Sequence, residues 1–402
     1  MALMPVAEAL AKVLAGVEPL PAEQAPLAEA HGRVLAADLA ALRTQPPADV
    51  SAMDGYAVRG ADVAGAPARL TVIGEVAAGR PFAGEVAPKQ AARIFTGGVV
   101  PRGADTVVIQ ELTERAGDVV VVNAATSRGR NVRAEGLDFK RGETLLRRGE
   151  RLTSRSLALA AAMNHSNVPV HRRPKVALLA TGDELVTPGT TLAPGQIVSS
   201  NGFGLASLIR HEGAEAADLG IVGDDVGSTV AAIERAQAWG ADVLVTAGGA
   251  SVGEHDLVQP ALARLGLQLA FWKVALRPGK PLLHGRIGEM RVLGVPGNPV
   301  SAFVCAFLFL VPLIRRLAGR TDLEPRPESA VLGTDLPEND ERRDYLRATL
   351  ERRDGQLVAT PFRVQDSSMM APLAKADCLV IRDPFAAAAP AGSPCVVLKL
   401  GL

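Results

Sequence analysis

The stretch "RVLGVPGNPVSAFVCAFLFLVPLIRR", residues 291–316, places a short β-branched strand, a Pro-Gly-Asn-Pro turn and a long apolar run in direct succession. Asn298 suits a helix N-cap, Pro299 suits the first helical position, and Gly297 allows a tight turn of the backbone. The amides at such a helix start favour a phosphate or another oxyanion, although an ordinary capped helix has the same pattern. The stretch predicts a strand–turn–helix unit whose turn faces a ligand.

The apolar run after this turn has two interpretations. A membrane span needs about 20 apolar residues. Here Pro312 is expected to interrupt the run, and Arg315 and Arg316 end it. We therefore expect a helix buried on all sides and no contact with a membrane.

Around this unit, residues 175–320 alternate short β-branched strands with helical patterns, which is typical of a mostly parallel sheet covered by helices on both faces. The predicted strands are "KVALLAT", "ADLGIV", "DVLVTAG" and "RVLGV". Such sheets bind ligands at the carboxyl ends of their strands. The sequence therefore predicts an α/β ligand-binding domain.

Three further segments surround this domain. The predicted division is a helical domain at 1–54 and 136–172, an inserted small β domain at 55–135, the α/β domain at 173–322, and a C-terminal β domain at 323–402. The helical assignment comes from richness in Ala and Leu, and the β assignments come from apolar runs separated by Gly and Pro. The fold class is thus multidomain α/β plus β.

The composition argues against two classes of partner. The 402 residues contain 43 Lys plus Arg and 43 Asp plus Glu, so the chain has no excess of positive charge for binding nucleic acid or an anionic membrane. Cys305, Cys378 and Cys395 lack the spacing of a zinc or redox site, and the N-terminus carries no basic leader. We expect a cytoplasmic protein with reduced thiols and no nucleic-acid or membrane partner.

Polar clusters stand where the predicted strands of the α/β segment end, and each taken alone could be a simple turn or cap. They are Thr181, Asp183 and Glu184; Ser199, Ser200 and Asn201; Asp224 and Asp225; residues 246–256; Arg277 and Lys280; and Pro296 to Ser301. Because the carboxyl ends of parallel strands share one edge, we expect these clusters to converge.

The chemistry of these clusters is mixed. Glycine turns, helix starts, Arg277 and Lys280 suit phosphate groups. The carboxylates Glu184, Asp224, Asp225 and Asp256 suit a hard cation such as Mg²⁺ instead, unless they are simply solvated surface. A phosphate ester held through Mg²⁺ reconciles the two sets, so we expect that ligand class.

The segment "GASVG", residues 249–253, also matches the G-x-S-x-G turn of serine hydrolases. Ser251 with a later acid and His284 would give the usual chain order of such a triad. No HGGG-type oxyanion loop is visible, and His284 lies inside the strand-like "KPLLHGRI". Hydrolysis is therefore an alternative that a fluorophosphonate probe can test.

Taken together, the motifs resemble the MoeA-type molybdopterin molybdenumtransferases, which are similar to the E domain of gephyrin. The motifs that carry the resemblance are "SAMDGYAVR", "IFTGG", "VVIQE", "GRNVRAEGLDF", "ATGDEL", "VSSNG", "DD", "TAGGASVGEHD", "RPGKP" and "VPGNPVSAF", with a weaker match at "SSMM" and "ADCLVI". The sequence departs from the family at Arg277, where lysine is frequent.

The resemblance implies a homodimer of four-domain subunits with a MogA-like molybdopterin-binding domain and a barrel-like C-terminal β domain. It implies a reaction in which adenylyl-molybdopterin and molybdate give molybdenum cofactor and AMP, with hydrolysis of the adenylate and a need for Mg²⁺. It further implies contact with the upstream molybdopterin adenylyltransferase. A non-catalytic pterin-binding scaffold is the alternative within this resemblance.

The resemblance also implies roles for individual residues. Those expected in catalysis are Asp54, Asp138, Glu184 and Asp256, and those expected at the metal are Glu184, Asp224, Asp225 and Asp256. Those expected to bind substrate are Thr96, Arg133, Thr181, Ser200, Asn201, Gly248, Gly249, Ser251, Arg277, Lys280, Pro296, Pro299 and Ser367, with Arg347 and Ser368 as weaker candidates. Asp54, Thr96, Arg133 and Asp138 are expected to face the α/β pocket from the second subunit.

Overall fold

The computed structural model describes residues 3–248 and 257–401. Its first helix, α1, spans Val6–Leu14 and buries Val6, Ala9 and Val13. These three side chains share one apolar cluster with the long apolar helix of the α/β domain. The N-terminal helix therefore packs on the α/β core.

Short strands follow α1. They are β1 (Ala22–Pro26), β2 (Leu39–Ala40) and β3 (Val50–Ser51). A single 3₁₀ turn, Leu27–Glu29, interrupts the segment. The partners of these strands come from the part of the chain that follows the inserted domain.

The inserted domain is a β domain, as predicted. Its strands are β4 (Gly55–Val58), β5 (Ala68–Val76), β6 (Gln90–Ile94), β7 (Thr106–Ile109), β8 (Thr113–Ala116) and β9 (Val119–Val122). They form one sheet in the order β7-β4-β6-β5-β9-β8. Residues of β5 alternate between buried and exposed at its start, as the two-residue period of a strand requires.

The chain then returns through β10 (Val132–Arg133), β11 (Thr144–Leu146), α2 (Ser154–Ala162) and β12 (Asn167–His171). The pairs β1–β12, β2–β11 and β3–β10 are all antiparallel. The prediction of a helical domain over 1–54 and 136–172 is therefore wrong, apart from α1 and α2. The apolar residues of these two segments are buried by strand pairing between segments far apart in sequence, and tertiary contacts override the helix preference of Ala and Leu.

The α/β domain confirms the predicted architecture. Its strands are β13 (Lys175–Thr181), β14 (Leu185–Val186), β15 (Ile197–Val198), β16 (Glu215–Val222), β17 (Val243–Ala247), β18 (Gln268–Trp272), β19 (Leu276–Arg277), β20 (Leu283–Ile287) and β21 (Met290–Val295). The main sheet has the order β16-β13-β17-β21-β20-β18, and its first four strands are parallel. The carboxyl ends of those four strands therefore meet at one edge.

Helices cover both faces of this sheet. They are α3 (Asn201–His211), α4 (Val226–Trp239), α5 (Val258–Arg264), α6 (Pro299–Cys305) and α7 (Val311–Leu317). One buried apolar cluster contains residues of α3, α6 and α7, and another contains residues of α4 and α5. This gives the three layers expected of the predicted fold class.

A π-helical turn, Ala306–Leu310, joins α6 to α7, so the helix is continuous over 19 residues, Pro299–Leu317. The expectation that Pro312 interrupts this helix is wrong. Pro312 has no N–H to donate, and the π-helical turn directly before it accommodates the proline within a continuous helix. The helix is long and apolar enough to cross a membrane, but Val304, Phe309 and Leu313 are fully buried in the protein. It is the core helix of the α/β domain.

The C-terminal domain is a closed β-barrel of five strands. Its elements are β22 (Pro327–Leu332), β23 (Arg343–Arg353), β24 (Gln356–Pro361), α8 (Met370–Ala374), β25 (Cys378–Arg382) and β26 (Pro394–Lys399). The strands follow the order β23-β24-β22-β26-β25, and β25 pairs again with β23 to close the barrel. The short strand β19 of the α/β domain adds to the barrel beside β23.

Candidate functional site

A cavity of about 760 Å³ lies at the carboxyl ends of the parallel strands. Thr181, Gly223, Gly248 and Pro296 follow or end the four strands β13, β16, β17 and β21, and all four line the cavity. Further lining residues are Gly182, Glu184, Leu185, Ile197, Val198, Ser199, Ser200, Asn201, Asp224, Leu257, Pro281, Gly297, Asn298, Pro299, Ser368 and Met370. The predicted convergence is thus present for Thr181, Glu184, Ser199 to Asn201, Asp224 and Pro296 to Pro299, but Asp225, Arg277 and Lys280 do not line the cavity.

Two glycines shape the floor of this cavity. Gly182 has φ +145°, and a Cβ built on it would lie 2.4 Å from Oε2 of Glu184. Gly248 has φ +97°, and its Cβ would lie 2.7 Å from the carbonyl oxygen of Thr181. Both positions favour glycine, because other residues rarely adopt these positive φ angles, and at Gly248 a Cβ would also clash with the backbone. The missing side chains keep the backbone open to a ligand.

The acidic side chains at the strand ends divide into two roles. Glu184 and Asp224 line the cavity and are exposed. Asp183 accepts a hydrogen bond of 2.9 Å from the backbone N–H of Asp224, which fixes the turn after β16. Asp225 caps α4 by accepting from the Ser228 N–H at 2.6 Å, and this bond lowers the pKa of Asp225. Asp225 is thus a helix cap and does not line the cavity, whereas Glu184 and Asp224 face it.

Two helices begin at the cavity wall. Asn201 starts α3, and its side-chain amide donates to the carbonyl oxygen of Gly297 at 2.7 Å. Ser200, the N-cap of α3, makes no side-chain capping bond. Asn298 is the N-cap of α6 and Pro299 its first residue, as predicted. Amides at the start of α3 are therefore directed at a site that suits an anion.

The C-terminal barrel supplies one wall of the cavity. Ser368 and Met370 line it. The neighbouring Ser367 accepts from the side-chain amide of Asn298 at 2.9 Å, and its carbonyl oxygen accepts from the Val300 N–H at 3.0 Å. Ser367 thus joins the barrel to the start of α6, while Ser368 faces the space where a ligand would lie.

Arg347 holds this barrel segment in place. Its side chain is 1% exposed and donates to the carbonyl oxygens of Met369 and Asp366, each at 2.9 Å. It also donates to the side chain of Gln365 at 3.3 Å. A buried guanidinium with these acceptors orders the loop that carries Ser367 and Ser368.

The two predicted cations do not line the cavity. Arg277 lines a separate cavity of about 540 Å³ in the barrel, and its guanidinium contacts Asp340, Asn339 and Asp344. Lys280 is exposed, and its carbonyl oxygen accepts from the Val274 N–H at 3.0 Å. Among the described residues that line the strand-end cavity, the charged side chains are both acidic.

A second polar cluster lies in the inserted β domain. Asp54 precedes β4, and its Oδ1 accepts from the Thr96 N–H at 2.7 Å and from the Thr96 hydroxyl at 2.8 Å. The hydrogen bond from the Thr96 backbone, the hydroxyl bond and the nearby charge of Arg93 lower the pKa of Asp54. A Cβ on Gly55 would lie 1.9 Å from the Val108 carbonyl oxygen, so glycine is needed where the start of β4 approaches β7.

Neither this cluster nor Arg133 and Asp138 lines the strand-end cavity of the same chain. Arg133 ends β10 and is exposed. Asp138 is also exposed, and its N–H donates to the Gln45 carbonyl oxygen at 3.0 Å. The structure therefore joins Asp54 with Thr96 and gathers the strand-end residues in the cavity, while Arg133 and Asp138 lie exposed outside that cavity.

Three predicted site residues, Gly249, Ser251 and Asp256, lie outside the described residues. Within the ranges 3–248 and 257–401, no group of three or more His, Cys, Asp or Glu side chains could hold a metal ion by itself.

The sequence interpretation missed the apolar part of the cavity. Leu185 from β14 and Ile197 and Val198 from β15 line it, as does Met370. The pairing of the two short strands, Leu185 with Ile197 and Val186 with Val198, brings this wall over the floor. The adjacent apolar pair Ile197 and Val198 was the available sequence signal, but the polar residues around it in "GQIVSSN" indicate a loop.

His284 does not belong to the cavity. It is 2% exposed on β20, its Nδ1 lies 3.0 Å from the Val292 carbonyl oxygen, and its ring packs 5.6 Å from that of Phe271. Burial lowers the pKa of His284 to about 4. The serine-hydrolase alternative is therefore not favoured, because its proposed base is a core residue.

Comparison with known proteins covers almost the whole chain. Residues 4–164 match the family described as MoeA N-terminal region (domain I and II), residues 177–316 match the probable molybdopterin binding domain, and residues 329–400 match the MoeA C-terminal region (domain IV). The inserted β domain and the segments around it thus fall within the first match.

Named relatives match over similar lengths. The molybdopterin molybdenumtransferase of Haemophilus influenzae is 34% identical over 366 residues, which are 90% of each chain. Molybdopterin molybdenumtransferase 2 of Mycobacterium tuberculosis is 36% identical over 343 residues, 83% of this chain and 84% of the relative.

Solved structures agree with the sequence matches. Two crystal structures of the molybdopterin biosynthesis MoeA protein from Pyrococcus horikoshii superpose with TM-scores of 0.85 and 0.83, at 32% and 28% identity. Each covers 99% of this chain, and at least 99% of the solved chain is matched. From its fold and from these matches together, the chain belongs to the MoeA family of molybdopterin molybdenumtransferases.

Proposed function

We propose that this chain is a molybdopterin molybdenumtransferase, which inserts molybdate into adenylyl-molybdopterin, hydrolyses the adenylate and releases molybdenum cofactor and AMP. The observation that carries the proposal is the strand-end cavity, where glycine turns, a helix start and two acids meet. Relatives of that name match 83–90% of this chain. The proposal covers catalysis and not only pterin binding.

The ligand phosphates are expected at the start of α3. Ser200 and Asn201 line the cavity there, and the amides of a helix start favour negative charge. The apolar wall of Leu185, Ile197 and Val198 suits the flat ring system of a pterin. Because the described charged lining residues are acidic, anion binding depends on helix amides and on a cation that accompanies the substrate.

The donor set fits Mg²⁺, since this ion typically binds through one or two carboxylates and substrate phosphates. Glu184 and Asp224 would hold it. When bound, Mg²⁺ would neutralise phosphate charge during cleavage of the anhydride. Glu184 is exposed in the cavity, and in this proposal its carboxylate would accept a proton from the water that attacks phosphorus as the bond to AMP breaks.

The second side of the pocket is proposed to come from another copy of the chain. Asp54 and Thr96 form an ordered polar pair that does not line the cavity of their own chain, and Arg133 and Asp138 are exposed near the same domain. A twofold dimer that places this group over the partner's strand-end cavity would complete the site. The homodimer is then a condition for activity.

The proposed function also implies a cellular location and a partner enzyme. A cytoplasmic enzyme that receives a reactive adenylated pterin is expected to contact the adenylyltransferase that makes it. A pterin-binding scaffold would have the same cavity but would not convert adenylyl-molybdopterin into molybdenum cofactor. Production of molybdenum cofactor by the purified chain with molybdate, Mg²⁺ and adenylyl-molybdopterin distinguishes the two.

Hybrid dimers test the proposed site. Asp54→Asn and Glu184→Gln change charge and keep side-chain size, so each variant should fold and lose transfer. A 1:1 mixture should recover about a quarter of wild-type activity, because half of the dimers are hybrids with one intact site each. Each variant mixed with itself is the control.

Two results would contradict the proposal. Full transfer by both single variants would remove these carboxylates from the mechanism. No recovery in the mixture, once labelled subunits are shown to exchange, would place Asp54 and Glu184 in one subunit's pocket.

A further inference from the structure

Arg277 lies at the contact between the α/β domain and the barrel. Its Nη1 donates to Asp340 Oδ2 at 2.9 Å and its Nη2 donates to Asn339 Oδ1 at 2.9 Å. Nη2 also binds Asp344, whose side chain is 5% exposed. The guanidinium charge is thus already matched by two carboxylates of the barrel. A cation neutralised in this way is a poor ligand for a further anion.

The backbone around Arg277 is attached to the barrel as well. Residues Leu276 and Arg277 form β19, which pairs in parallel with Arg343 and Asp344 of β23. The N–H of Arg343 donates to the Ala275 carbonyl oxygen at 3.0 Å. Main chain and side chain therefore fix the same point of the α/β domain to the same strand of the barrel.

The residues after Arg277 lead directly into the cavity wall. The N–H of Val274 donates to the Lys280 carbonyl oxygen at 3.0 Å, which closes a short loop, and Pro281 then lines the cavity. A Cβ on Gly279 would lie 2.5 Å from Cys305 Sγ, so this loop packs closely on α6. Displacement of Arg277 would therefore move a lining segment.

The barrel also contributes Ser368 and Met370 to the cavity. Its position relative to the α/β domain consequently sets the distance between two cavity walls, one from the loop ending at Pro281 and one from the barrel. The hydrogen bonds of Ser367 hold the barrel near α6, and the contacts of Arg277 hold it at β19.

We propose that Arg277 is a positioning residue, which binds the barrel to the loop at 274–281 and so keeps the two cavity walls at a fixed separation. This differs from a ligand-binding cation, the role that its place in the "RPGKP" motif suggests. Its planar fork donates to Asp340 through Nη1 and to Asn339 and Asp344 through Nη2, whereas lysine would have to make all its contacts from one nitrogen atom. The effect on transfer rests on the proposed function, but the effect on the barrel contact does not.

Removal of an acidic partner separates the two roles of Arg277, because only the positioning role predicts that the KM rises. Asp340→Asn and Asp344→Asn leave the cation in place. A positioning role predicts that both variants raise the KM for molybdate, by about two- to thirtyfold, with a smaller change in kcat. Arg277→Lys should raise the KM also. A ligand-binding role predicts that Arg277→Lys is tolerated and that loss of a carboxylate leaves the KM unchanged or lowers it.

Hydrogen exchange reports on the contact between the barrel and the α/β domain and does not require catalytic activity. Arg277→Gln, Asp340→Asn and Asp344→Asn should each speed exchange of the amides at 367–370 and 274–281. Asp340 is exposed, so its variant remains informative if Asp344→Asn does not fold. Lys399→Gln is the matched control, since it breaks a barrel ion pair with Glu328 of 2.7 Å that does not touch the α/β domain, and it should change neither quantity.

The outcomes are separable. Faster exchange at both segments supports the positioning role even if the wild-type chain shows no metal insertion. Absence of metal insertion would contradict only the proposed function. Unchanged exchange in the Arg277→Gln and Asp340→Asn variants overturns the positioning role. A raised KM in Arg277→Gln but not in the aspartate variants also overturns it and returns Arg277 to the ligand.

Discussion

The side-chain amide of Asn298 donates a hydrogen bond of 2.9 Å to the hydroxyl of Ser367, across the boundary between the α/β domain and the barrel. Asn298 is the N-cap of α6, yet it makes no side-chain capping bond. The capping position therefore places the amide where it can join two domains beside the cavity.

We expect this bond to contribute about 1 kcal/mol to the free energy of unfolding. In a double-mutant cycle, Asn298→Ala and Ser367→Ala should show a coupling of that size, measured by urea denaturation. Asn167 and Ser166 form the same kind of bond at 3.2 Å on an exposed turn, and their cycle should show almost no coupling. Equal couplings in the two pairs would mean that the domain contact adds nothing.

The pKa of Asp54 should depend on Thr96. In the wild-type protein the carboxyl should titrate below 3.8, because the Thr96 backbone and hydroxyl both donate to its charged form. Thr96→Val removes only the hydroxyl, so the pKa should rise part of the way towards 3.8. NMR titration of the Asp54 carboxyl carbon measures this, with Asp225 as an internal reference whose pKa should not change.

The sign for stability follows from the lowered pKa of Asp54. The folded carboxyl binds its proton less tightly than the unfolded one, so it stabilises the fold above the unfolded pKa. This contribution is lost as the pH falls through the folded pKa. It should be smaller in the Thr96→Val variant, and an identical acid dependence in both proteins would contradict the assignment.

Removal of the Glu212 charge should lower the free energy of unfolding more than removal of most other single charges. Its side chain is 2% exposed, and its oxygens lie 2.7 Å from Arg315 Nη2 and 2.7 Å from Arg320 Nη1. Burial opposes ionisation, but the hydrogen bond and charge of Arg315 and the charge of Arg320 lower the pKa of Glu212 overall. Glu212→Gln should cost about 3–5 kcal/mol of unfolding free energy, because it removes the carboxylate that faces the buried guanidinium of Arg315, whereas Arg320 keeps its second partner, Asp322.

The control for Glu212 is an exposed ion pair. Glu8 and Lys12 are 4.0 Å apart on α1, and Glu8→Gln should cost less than about 1 kcal/mol. Urea denaturation of both variants gives the comparison. Similar losses would show that the arginine cluster does not depend on Glu212.

His284 should remain neutral through the physiological pH range. Its pKa of about 4 lies below the value of 6.5 in the unfolded chain, so the unfolded state binds the proton first as the pH falls. Its contribution to stability should therefore decrease between pH 6.5 and 4. NMR titration of the imidazole measures the folded pKa, and a value near 6.5 would contradict burial as its cause.

The burial of His284 also bears on whether the chain is a serine hydrolase. A fluorophosphonate probe should not label Ser251, because a buried His284 cannot act as its base. A serine hydrolase in the same tube serves as the labelling control. Labelling at Ser251 that disappears in a His284→Gln variant would restore the hydrolase interpretation.

Much of the α/β domain could be predicted from the sequence. The apolar strands 175–181 and 291–295 and the helices between them carry local periodic signals, and parallel strands necessarily bring their carboxyl ends to one edge. Thr181, Glu184, Asp224 and Pro296 therefore meet as expected. The inserted β domain followed from the same local reasoning.

The errors share a physical cause. The predicted helical domain consists mostly of strand pairs such as β1–β12, whose partners are over a hundred residues apart. Asp225 is a cap, and Arg277 binds the barrel. In each case the residue type is compatible with two environments, and the choice depends on neighbours that lie far away along the chain.

The strand–turn–helix units and the residue types at their ends could therefore be inferred from local sequence, because hydrophobic period and turn chemistry act over a few residues. Which of those residues share the cavity depends on the packing of whole domains, because that packing brings each charge or hydrogen-bond donor to its partner. Arg277 shows the difference most directly: its motif indicated a phosphate, and the fold gave it Asp344.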